Sequence, residues 1–323
     1  MALAGRAMSR PGAARVALTR GAMIRWVLFG VAVGVIAWAV ASQWEDVADA
    51  ARGLGVWPLV AAIALTVLAL AFNTLSWRSV MRSVGLDAPL TEASAVFLVS
   101  QAGKYVPGAI WPVVAQTEFA RTHGVSRARA MTGSLVAMAV GVVMAAVVGV
   151  AALAVFAPGT LLDYWWALAL AVLLAVTLVP AVLERLLDIA LRVLRRKAEP
   201  PRIEGRALLA SALWSALNWA ALGVHAWVLL RALGSDDANL GIATGAFAVA
   251  WLVGFVIVIA PAGVGPREIA LVALLAGAAT EPQALALALL SRFSMTLADA
   301  VGLALGVGAR RLRPGQPDRT AAP

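Results

Sequence analysis

Gly103-Lys104-Tyr105-Val106-Pro107-Gly108 interrupts an apolar region spanning 93–120. A second interruption, Pro261-Ala262-Gly263-Val264-Gly265-Pro266-Arg267-Glu268, divides another apolar region at 242–279. Each places glycine, proline and charge at a depth where the flanking residues require hydrocarbon. Irregular, charged backbone is tolerated inside a bilayer only when protein buries it or when it lines a wet cavity. Two such breaks in corresponding halves of a membrane protein point to a translocation site.

The rest of the chain agrees with a membrane setting. Of 323 residues, 62% are hydrophobic and 13% charged, and the mean hydropathy is +0.88. A soluble domain carries about 25% charged residues. Six full spans are expected, at roughly 24–41, 56–75, 130–156, 164–183, 207–231 and 283–308. Each approaches or exceeds the ~20 residues that cross a ~30 Å hydrocarbon core. Cysteine is absent, which excludes disulfides, thiolate metal sites and a cysteine nucleophile. The two histidines, His123 and His225, are far apart in sequence, so no metal site is expected, and no cofactor.

The net charge of +9 reads as topology rather than nucleic-acid binding, because basic residues gather at the cytoplasmic edges of spans. Twenty-one of the 26 basic residues fall on one expected side. They are five N-terminal arginines, Arg78 and Arg82, Arg121, Arg127 and Arg129, seven between 184 and 206, and Arg310, Arg311, Arg313 and Arg319. The opposite loops are acidic, with Glu45, Asp46, Asp49, Asp163, Asp236, Asp237 and Glu281. A multi-pass protein of the bacterial or archaeal cytoplasmic membrane is expected, with both termini cytoplasmic. The apolar run from Trp26 to Ala41 is expected to stay as an uncleaved first helix rather than a signal peptide.

This charge pattern determines how the broken regions run. If 93–120 crossed as one kinked helix, every later loop would carry the wrong sign. A re-entrant hairpin from the cytoplasmic side removes the conflict, and 242–279 reads as a hairpin from the other side. The fold class is therefore all-α and polytopic, with six spans and two re-entrant helical hairpins. Each half, 24–156 and 164–308, reads as span, span, hairpin, span, which makes the second an inverted copy of the first. That repeat is a topology inference, since no residue similarity between the halves stands out. The organisation is a basic segment 1–23, one transmembrane domain 24–310, and a disordered tail 311–323. Within the domain, 184–206 is a basic connector. Its part 184–197 reads either as an amphipathic helix on the inner leaflet or as a solvated link.

Candidate chemistry lies in the two breaks. Gly103 and Gly108 permit tight backbone and Pro107 ends a helix. Lys104 at the tip needs an acidic partner, carbonyl ligands or an anionic substrate group. Trp111 lies in the same hairpin, where it packs the tip or touches a lipid chain. Glu118 is placed either to pair with Arg121 at the surface or to reach the second hairpin. There, Gly263 and Gly265 make the link, Pro266 suits a first helical turn, and the helix start and Arg267 offer an anion site. Cross-hairpin pairs of Lys104 with Glu268, or Glu118 with Arg267, are expected. Arg292 and Asp299, seven apart in the last span, share an inward face, as a structural pair or as part of the site. Asn73, Asn218 and His225 read as interhelical glue.

Gly103-Lys104-Tyr105-Val106-Pro107-Gly108-Ala109-Ile110-Trp111 resembles a signature of the lysylphosphatidylglycerol synthase transmembrane-region, or flippase-like domain, family. The proline-glycine turn before Arg267-Glu268 resembles that family's second signature, and Gly124-Val125-Ser126 with Arg127 and Arg129 fits the segment between them. The likeness covers about 20–310 and adds Tyr105 to the candidate site. It implies a lipid flippase domain, which in the best-understood members is joined to a soluble aminoacyl-transferase domain. The chain ends soon after its last span, so a stand-alone member is expected and synthase activity is not carried over. Gln116-Thr117 departs from the pattern of many relatives.

The expected function is translocation, or assistance in translocation, of an anionic lipid or lipid-linked intermediate between leaflets. Lys104 and Arg267 would neutralise phosphate while Glu268 and Glu118 organise those cations. No nucleotide-binding loop is visible, and no nucleophile–base constellation suggests an enzyme. The alternative is an accessory subunit of a membrane glycosyltransferase or lipid-modifying enzyme. Small-solute transport is the other transport reading. Membrane lipids, not nucleic acid, are the expected partners.

Overall fold

A computed structural model of the chain describes residues 53–105, 110–159, 165–193, 201–256 and 265–311. Ten α-helices and no strand occur among them. Helix α1 is Val56–Ser83, α2 Leu90–Gln101, α3 Trp111–Thr122, α4 Arg127–Phe156 and α5 Trp165–Val176. Helix α6 is Pro180–Val193, α7 Gly205–Ala232, α8 Leu240–Val256, α9 Pro266–Leu275 and α10 Glu281–Arg311. The expected first span, 24–41, and the tail 312–323 lie outside the described residues.

Four helices, α1, α4, α7 and α10, are long and apolar enough to cross a membrane. This is a multi-pass membrane protein. The expected span at 164–183 takes a different form. Helix α5 has 12 residues, about 18 Å, and the chain then bends by 85° into α6. Many large apolar side chains, among them Leu209, Leu213 and Leu217 on α7, face outward, as lipid solvent allows.

Helices α1 and α7 cross antiparallel at the centre. Ser76 Oγ lies 2.9 Å from Ser211 Oγ, Phe72 stacks on Trp214 at 5.9 Å, and Thr66 Oγ1 is 3.2 Å from His225 Nδ1. Numbers fall along one helix as they rise along the other. One buried cluster gathers α7, α8, α9 and α10. A second gathers α1, α2, α4 and the foot of α6.

Both broken regions are hairpins. In the first, His123 Nε2 is 3.4 Å from Glu92 at the base, and Gln116 donates to Ser100 Oγ at 3.0 Å higher up. Near the tip, a Cβ on Gly103 would lie 2.9 Å from Trp111 Cβ. Arms of 12 residues each reach about 18 Å, too short to cross. In the second, Ser235 Oγ donates to the Ala278 carbonyl at 2.6 Å and Gln283 to Leu233 at 3.0 Å. The two arms of each hairpin thus start and end at one end of the bundle. Because α1 and α7 are antiparallel, the two hairpins enter from opposite ends.

Among the described residues three elements of each half correspond: α1 with α7, both 28 residues, the hairpins, then α4 with α10. The matching turns after α1 and α7 end alike. Gly85 and Gly234 have φ of 102° and 79°, and Leu86 and Ser235 donate backward to Met81 and Leu230. Only glycine takes that left-handed conformation without strain. Here the sequence does repeat, as Arg82-Ser83-Val84-Gly85-Leu86-Asp87 beside Arg231-Ala232-Leu233-Gly234-Ser235-Asp236.

Candidate functional site

The site is organised by α10, which touches both hairpins. Its small residues bring it onto α2: a Cβ on Gly306 would lie 2.8 Å from the Ala95 carbonyl oxygen. Three residues of α10 that recur at helical spacing, Asp299, Gly302 and Gly306, therefore face the first hairpin.

At the tip of that hairpin the chain tightens into a 3-10 turn, Ala102–Tyr105. Lys104 Nζ reaches Asp299 Oδ2 at 2.6 Å, and the Tyr105 hydroxyl donates to the same oxygen at 2.6 Å. The ammonium also lies 5.6 Å from the Tyr105 ring centroid. Asp299 is buried, with its side chain 5% exposed, whereas Lys104 is 43% exposed. The carboxylate thus sits inside and the cation at an open edge. Pro107 and Gly108 lie outside the described residues, as does Gly263.

In the second hairpin, Gly265 (φ 95°) precedes Pro266 at the start of α9. Glu268 Oε2 accepts the Gly265 N–H at 2.6 Å, which closes the helix start that the sequence had offered to an anion. Glu268 Oε1 holds Arg292 Nη2 at 2.8 Å. Arg267 turns inward. It donates to Ser291 Oγ at 2.9 Å, stands 4.9 Å over the Phe247 ring, and is 6% exposed. No carboxylate pairs with it among the described residues.

The expected cross-hairpin pairs are therefore replaced. Lys104 pairs with Asp299 instead of Glu268, and Glu268 with Arg292. Glu118 lies on the exposed end of α3 with Arg121 at 3.0 Å and Arg127 at 3.8 Å, away from Arg267. Arg292 and Asp299 do share a face, but each serves a different hairpin. They are about 10 Å apart along the axis. Trp111 begins α3 against Gly103. The roles of Phe247 and Ser100 were not anticipated, and apolar or small residues inside spans carry no signal of their own. The partnership of α10 did carry one, since its two inner charges, Asp299 and Arg292, are opposite in sign to Lys104 and Glu268.

The family model described as "Lysylphosphatidylglycerol synthase TM region" matches residues 25–302. The chain belongs to this family. The matched part of this synthase-type transmembrane region holds both hairpins, both ion pairs and Arg267. No match is found among curated proteins.

Proposed function

We propose that the chain moves an anionic lipid or lipid-linked intermediate between leaflets, or assists that movement, without being an enzyme itself. The observation that supports this reading best is the Lys104–Asp299 pair: a half-exposed cation, in a re-entrant tip, held by a buried carboxylate. A lone ammonium at that depth is costly, so Asp299 stands where a phosphate headgroup would compete. When phosphate takes Lys104, the Tyr105 hydroxyl still serves Asp299, and the acyl chains stay in lipid. Glu268–Arg292, about 10 Å further along α10, supplies a second cation–carboxylate station. Arg267, held inside by Ser291 and Phe247, is buried away from such a headgroup in this conformation. The basic end faces the cytoplasm in this reading, and an enzyme that makes or uses such a lipid is the partner to seek by co-purification.

Reconstituted vesicles carrying fluorescent phosphatidylglycerol test the proposal. Wild-type protein is expected to move label across the bilayer, Lys104→Arg to keep most of that rate, and Lys104→Gln to lose about tenfold, the worth of one charged contact. Rates equal to empty vesicles for several anionic lipids would overturn it.

A further inference from the structure

Arg267 is a buried cation that neither inner ion pair uses. Lys104 has Asp299, and Arg292 has Glu268. Glu268 is engaged through both oxygens, one on Arg292 and the other on the Gly265 N–H. Among the described residues no carboxylate pairs with Arg267, and residues 257–264 contain no acid in the sequence.

The surroundings of the guanidinium are neutral. Ser291 Oγ accepts from Nη2 at 2.9 Å and is itself committed as a donor to the Ala288 carbonyl at 3.0 Å. Nη1 meets the Met295 sulfur at 3.9 Å, a weak acceptor. Nε is buried with no partner. The Phe247 ring lies 4.9 Å from the guanidinium carbon. His225, whose ring is 5.7 Å from that of Phe247, brings no negative charge. Arg267 is 6% exposed, Phe247 1%, and His225 and Ser291 are fully buried.

A buried lysine can shed its charge, but a guanidinium stays protonated. The Phe247 face recovers only part of what burying that charge costs. What the arrangement lacks is one negative charge that also gives Nε and Nη1 an acceptor. Its size is bounded by the burial. A lipid headgroup arrives with its chains and needs an opening, which these residues do not offer. An ion little larger than a water molecule needs none.

We propose that Arg267 binds a small inorganic monoanion of the halide class, held by Nε and Nη1 where α8, α9 and α10 meet, which neutralises the tip of the second hairpin. The inference stands whether or not the chain moves lipid.

Thermal unfolding of the full chain in a non-ionic detergent tests it, with sodium chloride replacing sodium gluconate at constant ionic strength. The wild-type Tm is expected to rise by about 3 °C or more and then level off, as binding to one site on the folded state requires. Bromide is expected to act alike. Arg267→Met is expected to lose the response, Arg267→Lys to keep part of it, and Arg206→Gln, at an exposed arginine, to keep all of it. A wild-type Tm equal in the two salts would overturn the proposal, as would a chloride response that survives in Arg267→Met. A rise caused by phosphatidylglycerol in gluconate, with none from chloride, would overturn it in favour of a lipid headgroup. If Arg267→Met does not fold, bromide-soaked crystals of the wild type decide. An anomalous peak within hydrogen-bond reach of Arg267 supports the site, and peaks only elsewhere overturn it.

Discussion

Glu268 serves two structures with one carboxylate. One oxygen closes the start of α9 and the other holds Arg292. The two tasks separate by mutation. Glu268→Gln keeps an acceptor for the Gly265 N–H and loses the ion pair. Glu268→Ala loses both, and is expected to be less stable by a further ~1 kcal/mol, the usual worth of such a cap, read as a lower Tm in detergent. The exchange Glu268→Arg with Arg292→Glu is expected to recover part of what either single change loses, because a half-buried charge left alone costs more than the pair contributes. At Asp299 the asymmetry runs the other way. Asp299→Asn still accepts from Tyr105, so it is expected to fold with a small loss of Tm while freeing Lys104. All five inner charges were legible in the sequence as charges inside apolar runs. Their partners were not, since whether Lys104 meets Glu268 or Asp299 depends on where α10 lies.

Each hairpin holds its shape through a few close contacts between its arms. Gly103 faces Trp111 and Pro112, and a Cβ there would come within 2.9 to 3.1 Å of three atoms. Gly103→Val is expected to destabilise by about 1–3 kcal/mol, as overpacking does, read by thermal unfolding in detergent, and to displace Lys104 from Asp299. Gly306 does the equivalent work between α10 and α2. The hairpins were readable from glycine, proline and the sign of flanking loops, because a bilayer penalises irregular backbone so heavily. The bend between α5 and α6 was less so. An apolar run from 164 to 183 fits a span by length, and the break at 177–179 contains no glycine. Pro180 is the local signal that was passed over, because proline disfavours helix in the residue before it and suits the first turn of a new one; Pro180 and Leu183 then dock against the start of α7.

Across the whole molecule, two inverted halves meet where α1 crosses α7. The crossing makes a direct prediction, because Ser76 and Ser211 have their hydroxyl oxygens 2.9 Å apart. With no native cysteine to compete, the pair Ser76→Cys and Ser211→Cys is expected to form a disulfide under mild oxidant. The lack of a mobility shift under denaturing, non-reducing conditions would count against that crossing. The inversion was legible from loop charge alone, while its residue-level trace was short and survives only where turn geometry demands it, at Gly85 and Gly234. The central claim is that two hairpins enter from opposite faces and are tied together by α10. Impermeant maleimide labelling of single cysteines at Asp87, Thr122, Asp237 and Thr280, in sealed vesicles of known orientation, tests it most directly. Positions 87 and 122 should react from one side only and 237 and 280 only from the other; opposite-side labelling within either pair would contradict the account.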